Sequence, residues 1–182
     1  MFNERKMGIA VAIIVMFLAL SVITAHIVMA REITDMAGRT VASPDPIRKV
    51  YAPSPYGSYI MYSIDPSMLS GLNLAIKEED RKYFPKEVQG LPVIGSLAGQ
   101  GQTANIEVLL KAKPDLLIMW SANRSAINER TEGSLKRLNI PFVYADAESL
   151  NDYPDVYLFL GKALKREERT KQLSSYCRKT LE

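Results

Sequence analysis

Apolar residues fall along this chain in several distinct patterns, and each predicts a different element. Residues 7–25 are almost unbroken in apolarity, with Arg5 and Lys6 before them and the small residues Val28 and Ala30 just ahead of Arg31. A charged start, an apolar run and a small-residue end describe a secretory signal peptide. The run also approaches the roughly 20 residues that span a bilayer, so a retained membrane anchor is the second reading. A buried core helix fits worse, because no polar face interrupts the run. Both leading readings place the rest of the chain outside the cytoplasm. With no cysteine at the junction, attachment of lipid to a new N-terminal Cys is excluded.

After Arg31 the pattern shortens. Two brief extended pieces flank Asp35 to Gly38, which predicts a hairpin with Gly38 at a positive-φ turn position. Ser43 to Pro46 is a Pro-rich stop. An extended run follows over Lys49 to Ala52, and a short helix over Tyr56 to Ser63 is closed by Asp65-Pro66. Met68 to Leu74 reads as a strand, and Lys77 to Gln89 as a charged surface loop or short helix. Pro92 to Ile94 is a short strand, followed by a Gly-rich connection to Gln102.

Asn105 is a helix N-cap, and the helix after it is expected to bury Ile106, Leu109 and Leu110. Lys113-Pro114-Asp115 ends that helix, since proline disfavours helical geometry at the preceding residue. Leu116 to Trp120 is continuously apolar, as in a strand covered on both faces. A polar loop, Ser121 to Ser125, leads to a helix ending at Leu138. Asn139-Ile140-Pro141 then precedes a strand from Phe142 to Tyr144. From Tyr153 the pattern is helical to the end, marked by Tyr157, Leu160, Leu164 and Leu173.

Alternating strands and helices with short connections predict an α/β fold, a parallel sheet with flanking helices. In such sheets ligands collect outside the carboxyl ends of the strands. The loops there are Ser54 to Tyr59, Ser96 to Thr103 and Ser121 to Arg124.

Composition narrows the chemistry. The chain has 182 residues with 23 Lys+Arg against 20 Asp+Glu, a net charge of +3 too balanced for a nucleic-acid partner. One histidine, His26, and one cysteine, Cys177, cannot build a Cys/His metal cluster or a Ser-His-Asp or Cys-His pair in the folded part. Gly95, Gly99 and Gly101 match neither the phosphate-loop nor the dinucleotide spacing. They read as a connection that permits close backbone approach.

The hairpin segment Ile33 to Val41, the strand start Lys49-Val50-Tyr51-Ala52 and above all Asn105 to Ile118 resemble the periplasmic binding proteins for iron-siderophores, haem and cobalamin. The resemblance covers nearly everything after Arg31. It implies one Rossmann-like lobe of a two-lobed, helix-linked binding protein. Residues 1–30 would be the leader or anchor, residues 31–152 the N-terminal ligand-binding lobe, and residues 153–182 the start of the long interlobe helix, with the second lobe absent from this sequence.

The same resemblance implies a periplasmic location, an ABC-importer permease as partner, and an iron-siderophore, haem or cobalamin-type ligand. It implies no catalysis and no resident cofactor, and contact with the membrane only through the leader or the permease. Glu107 matches a surface carboxylate that docks against permease arginines. It also sits in the first helical turn, where a carboxylate complements the helix dipole. Tyr56, Tyr59, Gln100, Trp120, Asn123 and Arg124 occupy or adjoin the ligand-side loops, where aromatic faces and an arginine suit a bulky anionic chelate; Tyr59 reads equally as a helix core residue and Trp120 as a strand-end plug. Iron would arrive already chelated, so no protein metal ligand is expected. The rival reading is a small membrane-anchored α/β enzyme or sensor domain.

Overall fold

The computed structural model describes residues 29–97, 102–121 and 126–181. The apolar run at residues 7–25 lies outside them, and with it both readings of the leader. Among the described residues no helix is long and apolar enough to cross a membrane.

Three parallel strands, β3 (Val50–Tyr51), β4 (Leu116–Ser121) and β5 (Phe142–Asp146), form the central sheet in that order. The short α1 (Pro55–Ile64) and α2 (Lys86–Gln89) follow β3, and α3 (Ile106–Ala112) leads into β4. The crossover between β4 and β5 carries α4 (Ala126–Arg137). Helices α5 (Tyr153–Leu164) and α6 (Glu167–Leu181) end the chain.

Strand alternation divides the core. Val50, Leu116, Ile118, Val143 and Ala145 project to one face and meet α1 and α5 through Ile60, Met61, Val156 and Leu160. Tyr51, Leu117, Met119, Phe142 and Tyr144 project to the other and meet Leu109 of α3 and Leu135 of α4. The continuous apolar run at β4 is required because both of its faces are covered. The α/β reading holds.

Local signals set most element ends. The Ser54 side chain accepts from the Gly57 amide at 3.2 Å and caps α1, with Pro55 in the first turn. Asn105 Oδ1 accepts from the Val108 amide and caps α3. Lys113 closes α3 in the left-handed conformation, φ 47°. Next to it the Asp115 carboxylate accepts from the amides of Arg48 and Lys49 at 2.7 and 2.8 Å, tying the amino ends of β3 and β4 together.

The predicted hairpin is β1 (Met29–Thr34) paired antiparallel with β2 (Thr40–Asp45), turning at Gly38 with φ 77°. Its tip covers the open edge of β5. The Met36 amide donates to the Tyr144 carbonyl, and the buried Asp35 carboxylate accepts from the Tyr144 amide at 3.0 Å. Arg39 pairs with Asp35 at 2.7 Å and lies 4.6 and 4.3 Å from the ring centroids of Phe142 and Tyr144. An edge strand left with free amides is a site for unwanted pairing, and this turn closes it.

Four expectations need correction. Pro92 to Ile94 is not a strand but a single bridge of Val93 to Leu72. Met68 to Leu74 is not a strand either. Pro66 to Met68 forms a 3-10 turn, and only single bridges at Leu69 and Leu72 continue the sheet. Leu110 is 45 % exposed, because α3 has only two turns and turns Ile106, Val108, Leu109 and Ala112 toward its neighbours instead. The helix expected to run unbroken from Tyr153 is two helices. Lys165 adopts φ 56° between them, and α6 folds back along α5. Gly161 makes the close approach possible, since a Cβ there would collide with the Thr170 hydroxyl and lie 2.9 Å from Thr170 Cβ.

Candidate functional site

At the carboxyl ends of the three strands the chain builds an aromatic group from three separate segments. Tyr56 comes from the first turn of α1, directly after β3. Trp120 is the penultimate residue of β4, and Tyr153 opens α5 after β5. The Tyr56 and Trp120 rings stack at 6.5 Å between centroids with 30° between planes. Trp120 and Tyr153 meet at 5.8 Å and 53°. Tyr56 is 52 % exposed, so the group presents ring surface to solvent while Trp120 stays half-buried against the core. Burial, with Tyr56 and Tyr157 nearby, holds the Tyr153 hydroxyl above its ordinary pKa, so it is a neutral donor at neutral pH.

A buried polar network fixes the loop that carries Tyr56. Asn73 donates through Nδ2 to the Tyr51 hydroxyl and to the Ala52 carbonyl, both at 3.0 Å. The Tyr51 hydroxyl donates to the Gly95 carbonyl, and Ser58 donates to Asn73 Oδ1. Ser96 Oγ reaches the Pro53 carbonyl at 2.8 Å. Burial pushes the Tyr51 hydroxyl strongly upward in pKa, so it stays protonated and keeps this donor. The connections after β3 and after Ile94 are therefore locked to each other at the mouth of the sheet.

Of the residues singled out in the sequence, Tyr56 and Trp120 come together, and Tyr59 stands on the same helix as Tyr56, 72 % exposed rather than in the core. Gln100, Asn123 and Arg124 lie outside the described residues. Glu107 projects from the first turn of α3, with three-quarters of its side chain exposed, and pairs with Lys111 at 2.8 Å. Tyr153 was missed. Its signal was positional: it stands at the start of the helix after β5, as Tyr56 stands at the start of the helix after β3. Among the described residues no cluster of three or more His, Cys, Asp or Glu side chains could hold a metal ion.

Asp146 ends β5 at the same mouth. Its Oδ1 is buried without a hydrogen-bond partner among the described residues. Burial, helped by the charges of Glu148 and Asp152, raises its carboxyl above the usual carboxylate range. A carboxyl raised on folding costs stability above its folded pKa and costs nothing below the unfolded value near ~3.9. Asp146→Asn is therefore expected to raise the thermal midpoint at pH 7, with the gain shrinking to zero as the pH falls below about 4. Circular dichroism melts across that range check it, and an equal gain at every pH would contradict the electrostatic cause.

The class that this fold matches is the solute-binding protein of ABC transporters, of which the chain resembles about half. No family model matches the sequence. An ABC transporter solute-binding protein from Sulfurospirillum deleyianum has 30 % identity and a TM-score of 0.69, over 80 % of this chain and 45 % of that one. A TroA-like periplasmic binding protein from Veillonella parvula shares the fold, with a TM-score of 0.61 and 24 % identity over 80 % of this chain and 45 % of that one. In sequence, 71 residues are 35 % identical to a vitamin B12-binding protein of Pectobacterium carotovorum, covering 39 % of this chain and 23 % of the relative. The chain thus spans about half the length of the solved structures and about a quarter of the curated relative. The resemblance read from the sequence holds, and the matched proteins bind solutes.

Proposed function

We infer that this chain supplies the first lobe of an exported, non-catalytic solute-binding protein that hands its ligand to an ABC-importer permease in the periplasm. The ligand class is a metal chelate of the iron-siderophore, haem or cobalamin kind. One observation carries the reading most: the Tyr56–Trp120–Tyr153 group stands at the carboxyl ends of a parallel sheet, in a lobe similar to those of solute-binding proteins. Exposed ring faces held by a rigid scaffold bind flat, bulky ligands by stacking without much ordering cost. Gln100, Asn123 and Arg124 sit in sequence beside this mouth and would add amide and guanidinium contacts, the arginine pairing with ligand carboxylate or catecholate oxygens.

Residues 31–152 form the lobe, and the helical segment after them begins the link to the rest of the protein. Glu107 is the permease contact. Its pairing with Lys111 is solvent-exposed and weak, of the order of ~0.3–0.5 kcal/mol, so an arginine fork on the permease can replace it.

Ferric siderophores, haem and cobalamin titrated into the full-length protein test this. Saturable quenching of tryptophan emission is expected for one of them, since Trp120 lines the mouth. Trp120→Ala should weaken that ligand roughly tenfold, about 1.4 kcal/mol. A panel with no saturable optical or calorimetric change would overturn the reading.

A further inference from the structure

The mouth lies at the carboxyl ends of the strands, and the charged groups at their amino ends have no part in it. Arg31, Arg48, Lys165 and Arg166 stand at that opposite end around a hollow of about 260 Å³, with Asp45 the one carboxylate in its wall. That volume is below the roughly 300–1,000 Å³ of pockets that enclose a small molecule, so the hollow suits a headgroup rather than a whole ligand.

Part of this charge is engaged within the lobe. Lys165 pairs with Asp45 at 2.7 Å and Arg166 with Asp65 at 2.8 Å. Arg31 donates to the Lys162 and Ala163 carbonyls at the carboxyl end of α5. The remainder is free for a partner. Arg48, Lys49 and Lys113 are exposed, and none of their side chains bonds to another described residue. Asp115 gathers them, because one carboxylate oxygen accepts from the amides of Arg48 and Lys49, and Lys113 stands two residues before it. Glu167 and Glu168 follow Arg166 on the first turn of α6, so the excess of positive charge lies on the side of β3 and β4.

The chain also enters the lobe at this end. Met29, the first residue of β1, pairs with Asp45. Only His26, Ile27 and Val28 separate it from the apolar run that ends at Ala25. Three extended residues span about 10 Å, close to one Debye length at ordinary ionic strength. With that run in a bilayer, the basic end of the lobe is held where the field of anionic headgroups acts on it. Each Lys or Arg at such a surface strengthens binding about fivefold.

We propose that this end of the lobe is a membrane-contact surface, which rests weakly and reversibly on anionic phospholipid headgroups and leaves the mouth turned away from the lipid. It rests on the reading of the chain as exported, and is independent of the ligand and of Glu107.

The test uses the full-length protein with nanodiscs of phosphatidylcholine, alone or mixed with phosphatidylglycerol, that carry a paramagnetic headgroup. With phosphatidylglycerol the amide signals of Arg48 and Lys113 should broaden, while the Trp120 indole signal should not. High salt should remove most of the effect. Arg48→Gln and Lys113→Gln should weaken affinity for these discs about fivefold each. Both side chains are exposed, so the variants should melt like the parent. Equal broadening in both kinds of disc would show tethering without headgroup binding and overturn the proposal, as would equal affinity of parent and variants. Broadening of Trp120 equal to that of Arg48 would overturn the orientation. The same signals shifted as far by inorganic phosphate alone would assign the surface to a free oxyanion and overturn it too. None of these outcomes depends on the permease or on export, so they stay readable if the transport reading fails.

Discussion

Glu107→Lys in the full-length protein is expected to leave ligand affinity at the parent value and to abolish most delivery to the permease. Glu107 lies on α3 and pairs with Lys111, whereas the aromatic group is built from α1, β4 and α5, so Glu107 is not one of its members. Reversing the charge does two things. Within the chain it replaces an attractive neighbour of Lys111 by a like charge four residues away, a cost of about 0.2–0.5 kcal/mol that leaves the fold intact. At the permease it sets a cation against the proposed arginines. Losing one partner of a hydrogen-bonded charge pair at an interface costs ~2–5 kcal/mol, and repulsion adds to it. Ligand-stimulated ATPase activity of the reconstituted importer should therefore fall at least about thirtyfold. Glu107→Ala should fall between the parent and the Lys variant. Normal stimulation by the Lys variant at equal protein concentration would remove Glu107 from docking. A matching loss of ligand affinity would move it to the binding site instead.

The second large effect is on the fold. Gly161→Ala would be stabilising in a free helix, by about 1 kcal/mol, because alanine is the better helix former. The opposite sign is expected here. The added methyl meets the Thr170 hydroxyl directly and stands 2.9 Å from Thr170 Cβ and 3.3 Å from Glu167 Cα, where α6 crosses α5. Overpacking of this kind costs about 1–3 kcal/mol, which for a chain of this size lowers the thermal midpoint by roughly 3–10 °C. Thr170→Ala combined with Gly161→Ala should recover part of the loss, since it removes the hydroxyl but not the Cβ. A midpoint raised by Gly161→Ala alone would mean that α5 and α6 are not in contact at this glycine.

How much of this was legible depended on whether the cause was local. The alternation of apolar runs, the Asn105 cap, the Gly38 turn and the stop at Lys113-Pro114 act within a few residues. The sequence by itself therefore determined an α/β fold with connecting loops gathered at one end of a parallel sheet, and it placed Tyr56 and Trp120 there. The Met68 to Leu74 segment misled because an apolar stretch with one glycine looks the same whether it pairs along its length or touches the sheet only at Leu69 and Leu72. The break at Lys165 misled because its residues are ordinary helix formers. What folds α6 back on α5 is the gap at Gly161 and the ion pairs of Lys165 with Asp45 and Arg166 with Asp65.

Tertiary structure alone decided the rest. It carried Asp35 across the hairpin to the Tyr144 amide, turned Leu110 to solvent, and brought Tyr153 onto Trp120. Each of these joins residues dozens of positions apart or depends on which face of a short helix finds a neighbour. Hydrophobic period records that a face is buried, and a cap records where a helix starts. Neither records which partner covers the face, because that choice is made by the packing of the whole lobe.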